Sequence, residues 1–519
     1  MNGWAGSVEG YKQQGRDYVV QGNWQAAYQC FEAVIGLAPT VENYFEFGNL
    51  LQSQQQWERA ENYYRRVLQL CPQCVEAYGN LGNLYVAQER WEQALFCYQQ
   101  VLAVRPEDAE TYYHVGRLFQ LQQHWQLAVD YYQQGLRWAH DPILTYYQLG
   151  QVLDELGRWE EATDCCRQVL LRMPDSADSY YQLALVLQKQ GHQFSALSYC
   201  QQAVELSPGE ARLHFGYAQM LLRMGKLQAG WREYEWRIGT SELIFELPQP
   251  RWDGSPLEGR RLLIHWEQGF GDTLQFVRYL RLIKGGKVLL VCQRSLVSLL
   301  KEGLIGVENC EVFSQDQELM GLNFEVWLPL LSLPHLFGTD LGNIPNEVPY
   351  LSVESNWIDY WQSRCSLREM RKIGIAWAGS PTHTNDRMRS CSLSYFAVLK
   401  QVPQVVLCSL QKGSVAGEVR KVGFEVLDFS EEIRDFRDTA ALVCGLDLVI
   451  CVDTAVAHLA GALGKPVWVL LPYFADWRWL MGREDSPWYP TIRLFRQQKV
   501  GDWAGVLEQV RAALLEGDS

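Results

Sequence analysis

Residues 452–472, VDTAVAHLAGALGKPVWVLLP, combine residue types suited to holding an anion. The apolar run Leu446–Val452, interrupted only by Asp447, reads as a buried parallel strand that stops at Asp453-Thr454. A short helix is expected over Ala455–Leu463, with Gly464 at the position after its end and Lys465-Pro466 opening a second apolar strand. Small residues at the helix start let a ligand approach the backbone. The first N–H groups of a helix lack intrahelical partners and carry the positive end of its dipole, so the chemistry in view is phosphate binding. The same pattern also fits an ordinary crossover in which Thr454 is the N-cap.

The elements that would position this segment belong to a longer series of strands and helices. After a Pro- and Gly-containing stretch, Pro248 to Gly259, RLLIHW (261–266) reads as a strand, EQGFGD (267–272) as a glycine-rich loop and TLQFVRYLRLI (273–283) as a helix. KVLLVCQ (287–293), CEVF (310–313) and FEVWLPL (324–330) read as further strands. A crossing segment at about 347–370 leads to a second series: KIGIAWAGS (372–380), VVLCSL (405–410), FEVLDF (424–429), DLVICVD (447–453) and PVWVLL (466–471). Such alternation implies parallel sheets covered on both faces, with ligands at the carboxyl ends of the strands and a cleft between two sheets. The final helix, 502–515, is expected to pack back across the pair.

The first half has a different period. Small residues recur every 34 residues at Ala26, Ala60, Ala94, Ala128, Ala162 and Ala196, with Gly230 next. Four residues after each come Cys30, Tyr64, Tyr98, Tyr132, Cys166, Cys200 and Tyr234. Pairs such as Phe47-Gly48, Leu81-Gly82, Val115-Gly116, Leu149-Gly150 and Leu183-Ala184 mark a preceding helix, and Pro72, Pro106, Pro174 and Pro208 close units. The pattern resembles the tetratricopeptide repeat (TPR), whose helix pairs stack to bury what no single unit could and present a concave groove to a peptide or protein. The last unit, GKLQAGWREYEWR (225–237), departs from the pattern, as where an array ends or docks on a neighbour. An array that serves only as a spacer or dimerisation surface remains the alternative.

Composition narrows the classes. The 519 residues are 48% hydrophobic and 20% charged, enough for several buried cores. A net charge of −14, with both halves acidic, offers no footprint for nucleic acid or anionic lipid. MNGWAGSVEGYKQQ lacks a signal-peptide pattern, and Asp453, His458 and Lys465 break the longest apolar stretch, so a soluble cytoplasmic protein without a transmembrane segment is expected. Cys71 and Cys74 form the one C-x-x-C among 14 cysteines; without a second pair or a histidine cluster, reduced apolar thiols are expected and no metal.

Taken in order, EQGFGDTLQFVRY, IGIAWAGSPTHTNDRMRS, SLQKG, VDTAVAHLAGALGKPVWVLLPY and DWRWLMGREDSPWYP look like the catalytic region of bacterial TPR-bearing proteins related to glycosyltransferase family 9, the heptosyltransferases. The likeness covers roughly 250–500. It implies an α + α/β chain: a TPR solenoid over 1–240, a linker over 241–259, and a GT-B pair of Rossmann-like domains over 260–365 (acceptor) and 366–519 (nucleotide-sugar). The implied activity is an inverting hexosyl- or heptosyltransferase that needs no metal or cofactor and takes a nucleoside-diphosphate sugar as donor. The layout also resembles protein O-GlcNAc transferases. Those carry an asparagine ladder in the groove, where this chain has Glu46, Asn80, His114, Gln148 and Gln182. A protein O-glycosyltransferase, or a TPR scaffold with an inactive GT-B half, are the alternatives.

The resemblance makes Asp272, beside Gly269 and Gly271, the general base, a carboxylate able to take the proton of an acceptor hydroxyl; its alternative is a helix cap, and Glu267 is a weaker base candidate. It places Arg387, Arg389 and Lys412, with Gly379, Ser380 and Gln411, at strand ends around the donor phosphates. Asp453, Thr454, Ala455 and His458 match a D-T-[GA]-x-x-H segment: Thr454 and the amides of Ala455 and Val456 for phosphate, His458 for phosphate or structure, Asp453 for the turn or a ribose hydroxyl. Asp476, Trp477 and Arg478, with Trp488 and Tyr489, line a base or sugar pocket or plug the domain interface.

Overall fold

The computed structural model describes residues 7–240, 247–317, 321–364, 370–383 and 386–517. The expected domain boundary at 365/366 and residues 241–246 of the linker lie outside the described residues. The chain forms two compact units, Met1–Leu206 and Ser207–Ser519. Among the described residues, no helix is long and apolar enough to cross a membrane.

The first unit holds twelve helices between Val8 and Leu206, taken as consecutive pairs. Ser7, Asn23, Thr40 and Ser176 cap helix starts by accepting backbone N–H bonds. The 34-residue pattern has a steric cause. A Cβ on Gly48, Gly82 or Gly116 would lie 2.8, 2.5 or 2.6 Å from the ring of Tyr64, Tyr98 or Tyr132. Each glycine is therefore the seat of the tyrosine on the partner helix. Where that tyrosine becomes Cys166 the fit relaxes, and the nearest atom to a Cβ on Gly150 lies 3.3 Å away. Where it becomes Cys200, the position equivalent to the glycine holds Ala184. The groove row that carries one asparagine interlocks neighbouring repeats: Arg16 donates to Glu46, Asn80 to Asn49, Gln120 to Gln148, and Gln182 to the Tyr147 carbonyl. Cys71 and Cys74 flank the turn between two repeats as free thiols.

The second unit begins with the helix pair Ala211–Arg223 and Leu227–Tyr234, repeat-like in sequence but compact with the sheets that follow. The first sheet consists of β1 (Arg261–His265), β2 (Lys287–Cys292), β3 (Cys310–Ser314) and β4 (Val326–Pro329) in the order β3-β2-β1-β4. The second consists of β5 (Arg371–Ala376), β6 (Val405–Ser409), β7 (Leu427–Asp428), β8 (Leu448–Val452), β9 (Val467–Leu471) and β10 (Ile492–Arg496) in the order β10-β9-β8-β5-β6-β7. All pairings are parallel. β8 and β9 are buried along their whole length, which is why they appear in the sequence as unbroken apolar runs.

Three expectations change. The strand expected over 424–429 is reduced to Leu427–Asp428 at the sheet edge. β10, absent from the sequence reading, extends the other edge, where Arg493 and Arg496 break its apolar pattern. The last helix, Trp503–Leu515, does not span both sheets: Trp503, Val506, Leu507 and Val510 pack with Ile373, Ile375, Leu448 and Ile450 in a core of the second sheet alone.

The seating of tyrosine on glycine is open to test. Gly82→Ala is expected to destabilise the chain by about 1–3 kcal/mol despite alanine's better helix propensity. Gly150→Ala should remain within about 1 kcal/mol of wild type, because no ring occupies its site. Urea melts of both variants give the comparison.

Candidate functional site

Sheet order dictates where a ligand can reach the strand ends. In the first sheet the chain changes direction between β1 and β4, and in the second between β5 and β8. At such switch points the following loops part and leave a crevice at the carboxyl edge. The segment leaving β1 carries Glu267 to Asp272, the one leaving β5 carries Gly379 and Ser380, and the one leaving β8 carries Asp453 and Thr454.

The glycine-rich segment is partly helical. The helix Phe270–Phe276 starts from Gly269 as N-cap and has Asp272 as its third residue. Asp272 Oδ2 accepts the Gly269 N–H at 2.9 Å, the carboxylate half of a capping box. Its Oδ1 accepts from Arg478 Nη2. Arg478 also donates through Nε to Gln275 Oε1 at 2.9 Å and through Nη1 to Asp476 Oδ1 at 2.8 Å. One buried guanidinium thus joins the Phe270 helix to the loop after β9. Burial pushes the Asp272 carboxyl above its ordinary range, and the Arg478 charge opposes that rise.

Gly271 brings the two motif segments into contact. A Cβ there would lie 2.8 Å from His458 Cδ2 and 3.7 Å from Ala455 Cα, so only glycine lets the Phe270 helix rest on the start of the Ala455–Ala462 helix. Thr454 occupies the N-cap position in extended conformation, but its hydroxyl makes no capping bond. His458 is buried, shares a 3.0 Å hydrogen bond with the Tyr489 hydroxyl and stacks on Trp479. Burial, with Arg478 and Arg278 nearby, drives its pKa down to about 3. A neutral, packed imidazole holds helices together and supplies no charge to a phosphate. Asp453 behaves in the opposite sense: burial and the nearby Asp476 push its carboxyl up to about 6, against Arg389 and Arg478.

The remaining expected residues divide. Arg389 lies over Gly379, where a Cβ would be 2.4 Å from its Nη2, and its charge reaches Asp453. Gly379 donates its N–H to Ser390 Oγ at 2.9 Å, and Ser380 shares a hydrogen bond with Thr382. Gln411 is buried and clamps β6 to β5, accepting the N–H groups of Trp377 and Ala378 and donating to the Ala378 carbonyl. Arg387 is exposed on the short helix Asp386–Arg389. Lys412 donates to the carbonyls of Ser430 and Ile433, which ties down a loop.

Two of the expected roles shift toward packing. Glu267, the weaker base candidate, is 2% exposed and held bidentate by Arg237, Nε to Oε2 at 2.7 Å and Nη2 to Oε1 at 2.9 Å, while Leu331 N–H donates to Oε1. Trp477 and Trp488 are buried edge-on around Trp231 of the Leu227–Tyr234 helix, so they plug an interface. Sequence reasoning passed over Arg223, Arg237, Gln275, His383 and Arg496. The charges of Arg389, Asp476, Asp386 and Asp272 all reach His383, which puts it among these strand ends. The one signal for Arg237 was its place in the unit that breaks the repeat.

A tetratricopeptide repeat family model matches residues 40–107, and a second matches 80–142 and 147–211. The glycosyltransferase family 9 (heptosyltransferase) model matches 434–471, which runs from the helix Phe436–Cys444 through β8 and the Ala455 helix to β9. Protein FlbA of Caulobacter vibrioides is 28% identical over 324 residues, covering 57% of this chain and 53% of its own. The chain spans about half the length of this curated relative. Among solved structures, YrrB, described as a TPR protein with an unusual peptide-binding site, is 24% identical with a TM-score of 0.31, covering 35% of this chain and 95% of its own. A tetratricopeptide repeat protein from Parabacteroides merdae is 18% identical with a TM-score of 0.36, covering 44% and 91%. The chain carries tetratricopeptide repeats and a heptosyltransferase-like region.

Two measurements follow from the buried charges. The folded chain holds the Asp453 proton to higher pH than the unfolded chain, so the associated stability is full below pH about 4 and lost as pH rises through about 6. Wild type should lose on the order of 3 kcal/mol relative to Asp453→Asn across that window, read from denaturant melts at fixed pH. Glu267→Ala, which strips Arg237 of its bidentate partner, is expected to cost roughly 3–5 kcal/mol in the same assay.

Proposed function

We propose that the chain is an inverting, metal-independent glycosyltransferase that moves a sugar from a nucleoside-diphosphate donor to an acceptor hydroxyl, with the repeat array recruiting a protein partner or acceptor. The observation that carries this reading is the contact of Gly271 with the start of the Ala455 helix, because it sets Asp272 of one sheet beside the strand ends of the other. In this reading Asp272 accepts the proton of the acceptor hydroxyl as its oxygen attacks the anomeric carbon. The bond from that carbon to the diphosphate oxygen breaks, and the diphosphate leaves. Thr454, the amides of Ala455 and Val456, Arg389 and Arg478 face the departing charge, and Asp453 holds the turn or a ribose hydroxyl. The match to glycosyltransferase family 9 over 434–471 supports the donor side of the reading.

The scaffold reading has one observation in its favour: Arg478 closes on Asp272, leaving the proposed base ion-paired. Donor screening separates the two. Incubation with ADP-, UDP-, GDP- and dTDP-sugars should give a melting shift with at least one. Asp272→Asn should keep that shift and lose at least about a hundredfold in transfer, measured as nucleoside diphosphate released. An active Asp272→Asn enzyme would remove the base assignment, and the absence of any shift would leave the scaffold.

A further inference from the structure

We infer that Arg223, the last residue of the Ala211–Arg223 helix, binds the donor diphosphate together with Arg496 of β10, so that a helix from the repeat-like pair completes an anion site otherwise built from strand ends. The inference rests on the transferase reading for the identity of the ligand and on the following geometry for the site.

The Ala211–Arg223 helix packs on the turn Trp477–Trp479, which carries Arg478. Arg223 is half-buried, yet its Nε is sealed from solvent and has no hydrogen-bond partner among the described residues. A buried donor left open is destabilising, and more so when charged, so a neutral side chain would be the stable choice here. The carboxylate whose charge Arg223 senses is Asp476. That carboxylate already accepts the Arg478 N–H at 3.0 Å and Arg478 Nη1 at 2.8 Å. Arg496 differs in that its guanidinium is hydrogen-bonded, to Arg483 O at 3.1 Å and Trp479 O at 2.5 Å, but among the described residues it has no carboxylate partner. Burial and the nearness of Arg483 and Arg223 bring its pKa down to about 10.

Two guanidiniums within reach of each other's fields, neither with a carboxylate of its own among the described residues, form a receptor for a compact, multiply charged anion. A diphosphate suits them because its oxygens accept paired N–H donors in the planar geometry a guanidinium offers. A helix C-terminus attracts an arginine through its dipole. That effect accounts for a cation in the last turn. It does not account for a sealed, unpartnered Nε beside a second arginine whose acceptors among the described residues are neutral carbonyls.

Inorganic pyrophosphate and the four nucleoside diphosphates serve as probes of the full chain, by calorimetry and melting temperature. Wild type is expected to bind pyrophosphate and to gain stability from it. Arg223→Met should melt no lower than wild type without ligand and bind pyrophosphate at least tenfold more weakly, with Arg223→Lys between the two and Arg496→Gln also weakened. Equal pyrophosphate affinity in Arg223→Met and wild type would overturn the inference. So would a wild type that ignores pyrophosphate at 10 mM order of concentration, or an Arg223→Met chain that melts early or fails to fold, which would assign the residue to structure. Pyrophosphate binding through Arg223 without turnover of any nucleotide sugar sinks the transferase reading alone. Normal transfer and nucleotide binding in Arg223→Met sinks only the role of Arg223.

Discussion

The second unit is organised around one guanidinium. Arg478 is 8% exposed and must find acceptors for its donors inside the protein, since a buried charge without partners is far more costly than one in water. It finds them on both sides of the interface: Asp272 and Gln275 on the Phe270 helix, and Asp476 in its own loop. The pairing fixes how the carboxyl edge of the first sheet meets that of the second. It also sets the charge state of its neighbours, depressing Asp476, holding Asp272 against the rise that burial imposes, and keeping His458 neutral. Gly271 is the steric counterpart, because any side chain there would push the Phe270 helix off His458.

The helix pair Ala211–Arg223 and Leu227–Tyr234 follows the repeat pattern but obeys the packing demands of the sheets. Trp231 meets Phe276, Trp477 and Trp488 edge-on, and Tyr234 reaches Gln268. Arg237 closes the buried pair with Glu267 and donates to Ser332. The sequence departs from the repeat consensus here because these side chains answer to the segments after β1 and β4 and to the 477–479 turn. A residue drawn into a foreign interface loses its periodic identity.

That contrast explains what was legible in the sequence. Repeats and parallel strands announce themselves because each position faces the same kind of neighbour: a tyrosine over a glycine every 34 residues, or apolar side chains on both faces of β8 and β9. β10 escaped because an edge strand with Arg493 and Arg496 has no such uniform surroundings. Gly269 and Gly271 suggested a loop, whereas one is an N-cap and the other a contact point inside the first helical turn. Lys412 and Arg478 show why charged residues are hardest to place. Each follows a strand end, but one finds carbonyls 18 and 21 residues away and the other a carboxylate 206 residues away. Nothing local distinguishes them.

The dual allegiance of Arg478 bears on the strength of the proposed base. A carboxylate paired to a guanidinium is a poor proton acceptor, because the cation stabilises its ionised form. On the transferase reading, the donor diphosphate brings more negative charge to the same guanidinium than Asp272 and Asp476 each supply. As Arg478 turns toward that charge, Asp272 keeps its burial and its single bond from Gly269 N–H but loses the cation that lowers its proton affinity. Burial, the larger of the two influences, is then opposed by the Gly269 N–H and no longer by the Arg478 charge. On that reading the carboxylate would become a stronger base only once the leaving group is in place, which would couple proton abstraction to donor occupancy through a single side chain.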